Sequence, residues 1–243
     1  MTMRYVKLAA AAAAFMLAAS AQAAEIKVLS SNAVKTVLEE LGPQFEKSSG
    51  HKIAFTWGTA AALKADIERG AAVDLAVLTD AGVDDLIKQG KLATRTALAR
   101  SGIAVAIHKG APKPDLSGTD AFKKLLLSAK SIAYVESGAS GIYLKGLFER
   151  LGLAEQIKGK LKSVKAAGEA VANGEAEIGF TQVSEILPYA GAEVGGMLPP
   201  DIQSFTAFSL GVGKDNKPAD SLVKFLTTPA AAAVVKAKGL EPR

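Results

Sequence analysis

The sequence contains no cysteine and only two histidines, His51 and His108, in 243 residues. The lack of cysteine removes disulfides, thiol nucleophiles and thiolate metal ligands together, so the fold must rest on its core. His51 sits in a Gly-His-Lys turn and His108 ends a strand-like run. Neither has a neighbour at the spacing of a catalytic triad or a metal site. P-loop and G-x-S-x-G patterns are missing as well. Asp80, Asp84 and Asp85 form an acidic cluster, but they open a helix-like segment, where acids are favoured without any metal. These absences lead us to expect no enzyme, no resident metal and no cofactor. Aromatic residues make up 6% of the chain, with Trp57 the single tryptophan, and Lys and Arg form no block. Stacking platforms and basic stripes for nucleic acid are therefore excluded. No apolar run beyond the N-terminus reaches the ~20 residues that a membrane-spanning helix needs.

The N-terminus itself is distinctive. Arg4 and Lys7 precede an uncharged apolar run, Leu8 to Ala18, and Ala21-Gln22-Ala23 supplies a small-x-small cleavage pattern. We expect a secretory signal peptide over residues 1–23, which places residues 24–243 in the periplasm as a freely diffusing protein. Residues 1–23 contain no acid, so losing Arg4 and Lys7 lowers the formal charge from +5 to +3. That mild positive balance favours anions weakly.

Residues 24–243 alternate β-type runs with helical patterns. Ile26–Ser30, Lys52–Trp57 and Val73–Leu78 read as strands. The helical spans 33–47, 59–69 and 80–89 follow them, and Pro43 is expected to bend or restart the first helix. This order implies a parallel sheet with crossover helices. A second block follows, with strands at 103–107, 131–135, 177–181, 193–198 and 206–212, and helices at 120–129, 141–151 and 166–172. Two further helices, 219–226 and 229–237, end the chain. The expected fold is α/β, with two Rossmann-like lobes and a ligand cleft between them. Lobe one comprises residues 24–102 with 206–243, and lobe two residues 103–205.

Open α/β sheets bind ligands at the carboxyl ends of their strands. There the sequence places Ser30, Ser31 and Asn32, then Gly58, Thr59 and Ala60, then 137–141 (Ser-Gly-Ala-Ser-Gly), then Thr181 and Gln182. Hydroxyl, amide and glycine residues opening helices suit an anion held by neutral donors. They also suit ordinary helix caps and turns.

Five segments carry a family resemblance: Ile26-Lys27-Val28-Leu29, Leu63–Asp74 leading to Leu78-Thr79-Asp80, Ser140-Gly141-Ile142-Tyr143, Ala172–Gly179 and Phe225–Leu240. Together they cover nearly all of residues 24–243. In them the chain resembles the periplasmic molybdate-binding proteins of ABC importers, which have the type II solute-binding fold. The resemblance implies a monomer that closes on a small oxyanion such as molybdate or tungstate and presents it to an inner-membrane permease. In that family serine hydroxyls, backbone N–H groups and a tyrosine hydroxyl hold the oxyanion. Carried over, the two serine positions fall on Ala33 (beside Asn32) and on Ala60 (beside Thr59). The backbone positions fall on Ser140 and near Val164, and the tyrosine position on Gln182. The hydroxyl set has thus changed at three positions. Arg100, before the expected crossover strand, suits a carboxylate through its bidentate fork. The candidate ligand set is Ser30, Ser31, Asn32, Thr59, Ala60, Arg100, Ser140, Val164 and Gln182. A small organic carboxylate as ligand, and a sensor role at a membrane receptor, stay open as alternatives.

Overall fold

The computed structural model describes residues 23–243. The expected signal peptide therefore lies outside the described residues, apart from its last position. Among the described residues no helix is long and apolar enough to cross a membrane.

The chain opens with strand β1 (Glu25–Ser31), in which Ile26, Val28 and Leu29 are buried. A 3-10 turn over Asn32–Val34 leads into helix α1 (Lys35–Ser49). Val37, Leu38, Leu41 and Phe45 turn α1 onto the sheet, and Gly50, at φ 76°, ends it in a left-handed cap. Pro43 lies inside α1 without restarting it. The carbonyl that it leaves unpaired, that of Glu39, is on the exposed face, where water can satisfy it. Strand β2 (Lys52–Gly58), helix α2 (Ala60–Glu68), strand β3 (Leu75–Thr79) and helix α3 (Asp80–Lys88) complete the first β-α repeats.

Strand β4 (Thr94–His108) is the long element of the fold. Its first part, through Gly102, pairs antiparallel with β9 (Phe205–Val212), and β9 in turn pairs with β3. Its second part, from Ile103, pairs antiparallel with β7 (Ile178–Gln182), and from Ala104 with β8 (Ala192–Met197). The order is β2-β1-β3-β9-β4-β7, followed by β5 (Ile132–Tyr134) and β6 (Leu161–Ser163). The sheet is therefore mixed: β1 is parallel to β2 and β3, and β5 to β6 and β7, but β4 and β9 run against their neighbours.

The sequence reading started this strand at Ile103. Residues 94–102 escaped it because Arg95 and Arg100 interrupt the apolar pattern. Both arginines pair with acids: Arg95 with Asp80 and Asp84, and Arg100 with Glu241. Helices α4 (Thr119–Ser128), α5 (Ala139–Arg150), α6 (Ala154–Ile157) and α7 (Ala167–Ala172) surround the second part of the sheet. The closing helices α8 (Lys217–Leu226) and α9 (Pro229–Ala237) return to the first part. There Leu222, Leu226, Ala231 and Val235 join Val37, Leu41 and Phe45 in one core. A separate core around Phe122, Leu144, Phe148 and Phe180 supports the second part.

Candidate ligand-binding site

Four strand ends converge on one cleft. From the end of β1 come Ser31 and Asn32; Gly58, Thr59 and Ala60 follow from β2. Ser140 lies in the first turn of α5, and Gln182 ends β7. Phe208 of β9 contributes to the lining, and the cleft holds about 410 Å³ of empty space open to solvent. Thr59 caps α2, its Oγ1 accepting from the Ala62 amide at 3.3 Å. Ser31 caps the turn after β1 in the same way, accepting from the Ala33 amide at 3.4 Å. The capping role expected for these hydroxyls is thus present, at residues that line the same cleft. An anion there meets the positive ends of helix dipoles.

Gly141 shows how closely the α5 turn is drawn in. A Cβ on Gly141 would lie 2.0 Å from the Val135 carbonyl oxygen, so only glycine fits. Gln182 is buried and links the two parts of the sheet. Its side-chain amide donates to Thr206 Oγ1 at 3.0 Å, and its Oε1 is buried with no partner. An unpaired buried acceptor costs about 1–3 kcal/mol and calls for a donor.

Three members of the candidate set do not line this cleft. Ser30 is fully buried behind it, its hydroxyl donating to the Ser31 carbonyl. Alternation along β1 turns Ser30 away from the side on which Ser31 lies. Arg100 is tied to Glu241 at 2.6 Å and lies over the Phe205 ring at 4.8 Å. It anchors the C-terminal strand β10 (Glu241–Pro242), which pairs with β4 at Arg100. The Val164 amide donates to the Tyr134 carbonyl at 3.0 Å, and its side chain packs against the small core that includes Ala133 and Ala167. Its neighbour Lys165 takes the place in the cleft.

Lys165 and Glu185 are the site residues that the sequence reading missed. Both line the cleft, and both also line a second, larger cavity beside it with about 830 Å³ of empty space. Asn32 and Val135 lie on the shared wall. Lys35, Ser184 and Tyr189 extend the second cavity, and the Ser184 hydroxyl is buried without a partner. Glu185 follows β7 in a 3-10 turn, Val183–Glu185. Its Oε2 accepts from Thr181 Oγ1 at 2.5 Å. Burial pushes the Glu185 carboxyl up, against the lowering effect of the Thr181 hydroxyl and the Gln182 amide. Gly168 of α7 lets this turn approach, since a Cβ there would meet the Glu185 carbonyl oxygen at 2.4 Å. A signal for Lys165 was present, one residue beyond the position carried over to Val164. Glu185 carried none, because a lone Glu in a Val-Ser-Glu turn looks like any surface acid. Among the described residues no three acids or histidines gather as a metal site would require.

With this geometry in place, comparison with known proteins assigns the family. Residues 26–241 match the bacterial extracellular solute-binding protein family, and the chain belongs to it. It is 36% identical over 230 residues to an aconitate isomerase of a Pseudomonas species, an alignment covering 89% of this chain and 87% of that one. It is 31% identical to the molybdate-binding protein ModA of Azotobacter vinelandii, with 96% of each chain covered. The solved structure of an Azotobacter vinelandii periplasmic molybdate-binding protein superposes with a TM-score of 0.71 at 21% identity, over 88% of this chain and 98% of that one. The chain is thus homologous to solute-binding components of molybdate transport, on a type II solute-binding fold.

Proposed function

We propose that this protein captures a small organic polyanion, a di- or tricarboxylate, in the periplasm and delivers it to an ABC permease. The observation that carries the ligand class is Lys165, a cation on the wall shared by the donor-lined cleft and the larger cavity. One carboxylate sits at the helix first turns beside Ser31, Thr59 and Ser140. A second reaches Lys165, with Lys35 further along the same cavity. Residues 24–102 with 206–243 and residues 103–205 act as the two lobes, and a ligand that bridges them shifts the population toward a closed form. The basic and apolar N-terminal segment supports export, and the family supports delivery of a solute to a permease. The 36% identity to an aconitate isomerase supports a carboxylate ligand. A tetrahedral oxyanion of the molybdate type is the second reading, favoured by the convergence of neutral donors and by the 31% identical molybdate binder.

A thermal-shift screen separates the two readings. Citrate, tricarballylate or aconitate at 100 times its Kd should add about 2.7 kcal/mol, a rise of several degrees. Molybdate and tungstate should give none. A shift with the oxyanions alone would install the second reading. Lys165→Met should weaken carboxylate binding about tenfold, the loss of roughly one charge-assisted contact.

A further inference from the structure

We propose that the Glu185 carboxyl, in its protonated form, donates a hydrogen bond to a carboxylate of the captured ligand, so that capture takes up one proton. This rests on the carboxylate reading above and deepens it, making Glu185 the residue through which affinity depends on pH.

A cleft built for anions gains nothing from an ionised acid on its wall, because like charges repel. Glu185 nevertheless lies on the wall common to both cavities, as Lys165 does. It enters none of the ion pairs formed among the described residues. The groups that bond to it are neutral, the Thr181 hydroxyl and the Gln182 amide. Next to it in the chain, Ser184 lines the larger cavity, and its hydroxyl is buried without a partner. A ligand carboxylate seated on this wall supplies the acceptor that Ser184 lacks and meets Lys165 as its cation. The ionised form of Glu185 opposes that seating. Its protonated form removes the repulsion and adds a donor, and a carboxyl–carboxylate bond belongs to the short, charge-assisted kind.

The other charged groups around this turn do not hold Glu185 ionised. Lys35 and Glu39 of α1, on the far wall of the larger cavity, pair with each other at 3.6 Å. Strand β4 packs against the turn, and its Arg100 is bound to Glu241. Gly239 of the C-terminal segment also approaches Val183 and Leu187, and its neighbour Lys238 is bound to Glu40 at 2.7 Å. Glu169 of α7 and the Tyr189 hydroxyl bring no positive charge. Burial pushes the Glu185 carboxyl up, and an incoming anion pushes it further the same way. Wherever Glu185 is ionised before the ligand arrives, capture therefore draws a proton from solvent.

The test is calorimetric titration of the purified protein with tricarballylate from about pH 7 to 9, where the ligand is ionised and lysines keep their charge. Each titration is run in HEPES and in Tris, whose ionisation enthalpies differ. The wild-type protein should take up a proton, seen as a binding heat that differs between the buffers. Its affinity should fall by up to ~10-fold per pH unit. Glu185→Gln, whose amide stays neutral, should lose both signatures. Ser184→Ala should weaken binding about tenfold and keep the slope. Wild-type binding that is independent of pH and buffer would overturn the proposal and leave the carboxylate reading standing. That comparison needs no variant, so a misfolded Glu185→Gln leaves the test intact. A slope that persists in a folded Glu185→Gln would assign the proton to another group and overturn the role of Glu185. Failure of tricarballylate, citrate and aconitate to bind at any pH would overturn the carboxylate reading and this proposal with it.

Discussion

Two acids follow strand ends in this fold, and they are used in opposite ways. Asp80 comes directly after β3, where Ser209 Oγ donates to it at 2.6 Å, Arg243 at 2.8 Å and Arg95 at 3.1 Å. Burial pushes its carboxyl up, but the Ser209 hydroxyl and the two guanidiniums outweigh this and hold it below the usual range. Glu185 comes after β7 with one hydroxyl and one amide, and burial prevails. Both groups are partly enclosed. The difference is the number of cations supplied. Asp80 is a joint that ties β3, β4, β9 and the C-terminal residue together. Glu185 is left with its charge unsettled in a cleft that a ligand enters. A carboxyl's role in this molecule is therefore read from what faces it, and its position after a strand is common to both.

The largest change to this contrast should come from Gly168→Ala. The new methyl would sit 2.4 Å from the Glu185 carbonyl oxygen, at the end of the turn that presents Glu185, and 2.9 Å from the Tyr189 ring beyond it. Backbone cannot yield there as a flexible side chain would. We expect a loss of up to ~3 kcal/mol, the cost of overpacking a tight contact. Carboxylate binding should weaken with it, because the shared wall of the two cavities moves. Denaturant unfolding together with calorimetry checks this. An unchanged midpoint would show that the turn is free to shift and that Glu185 is less firmly placed than its contacts indicate.

Asp80→Ala should have a somewhat smaller effect, confined to stability. It removes three contacts and leaves Arg95 and Arg243 without their shared partner, although Arg95 keeps Asp84 at 3.0 Å. Since the pair is partly solvated, we expect about 2 kcal/mol rather than the full sum of three charged hydrogen bonds. In a chain of this size that lowers the Tm by roughly 4–8 °C. Ligand affinity should stay unchanged, since Asp80 lies outside the cleft. A fall in affinity would mean that this joint also positions the binding residues.

The contrast between the two acids also marks how far the sequence could be read. The β-α order, the boundaries of most helices and the convergence of Ser31, Asn32, Thr59, Ala60, Ser140 and Gln182 at strand ends followed from periodicity and from the strand-end rule. These are local properties or consequences of topology. What escaped depended on pairing across the chain. Arg100 looked like a carboxylate receptor because its partner, Glu241, is 141 residues away. Val164 looked like a free backbone donor, but the register of β6 beside β5 commits its amide to Tyr134. Glu185 drew no reading from the sequence at all, and its place depends on Gly168 of α7, which lets its backbone approach. Sequence shows which groups exist; only the fold shows which of them are already satisfied.

The smallest expected effect is also the most direct comparison of the two acids. A carboxyl whose pKa is raised by folding holds its proton in the native state over a range where the unfolded chain has released it. Stability then falls as pH rises from the ordinary carboxylate range through the raised value. Asp80 has the opposite sign, since its lowered pKa adds stability that is lost as pH falls through the native value. In Glu185→Gln the falling limb should flatten, and the variant should be more stable than wild type on the alkaline side of the raised value. Asp80→Asn should flatten the acid limb and leave the other unchanged. Burial dominates the upward push on the Tyr189 hydroxyl, and Glu169 and Glu185 add to it, so Glu185→Gln should also lower Tyr189 slightly. Melting temperatures across pH 4 to 9 for the two variants report each limb separately. If the falling limb persisted in Glu185→Gln, another group would be responsible for it, and the unsettled charge would not belong to Glu185.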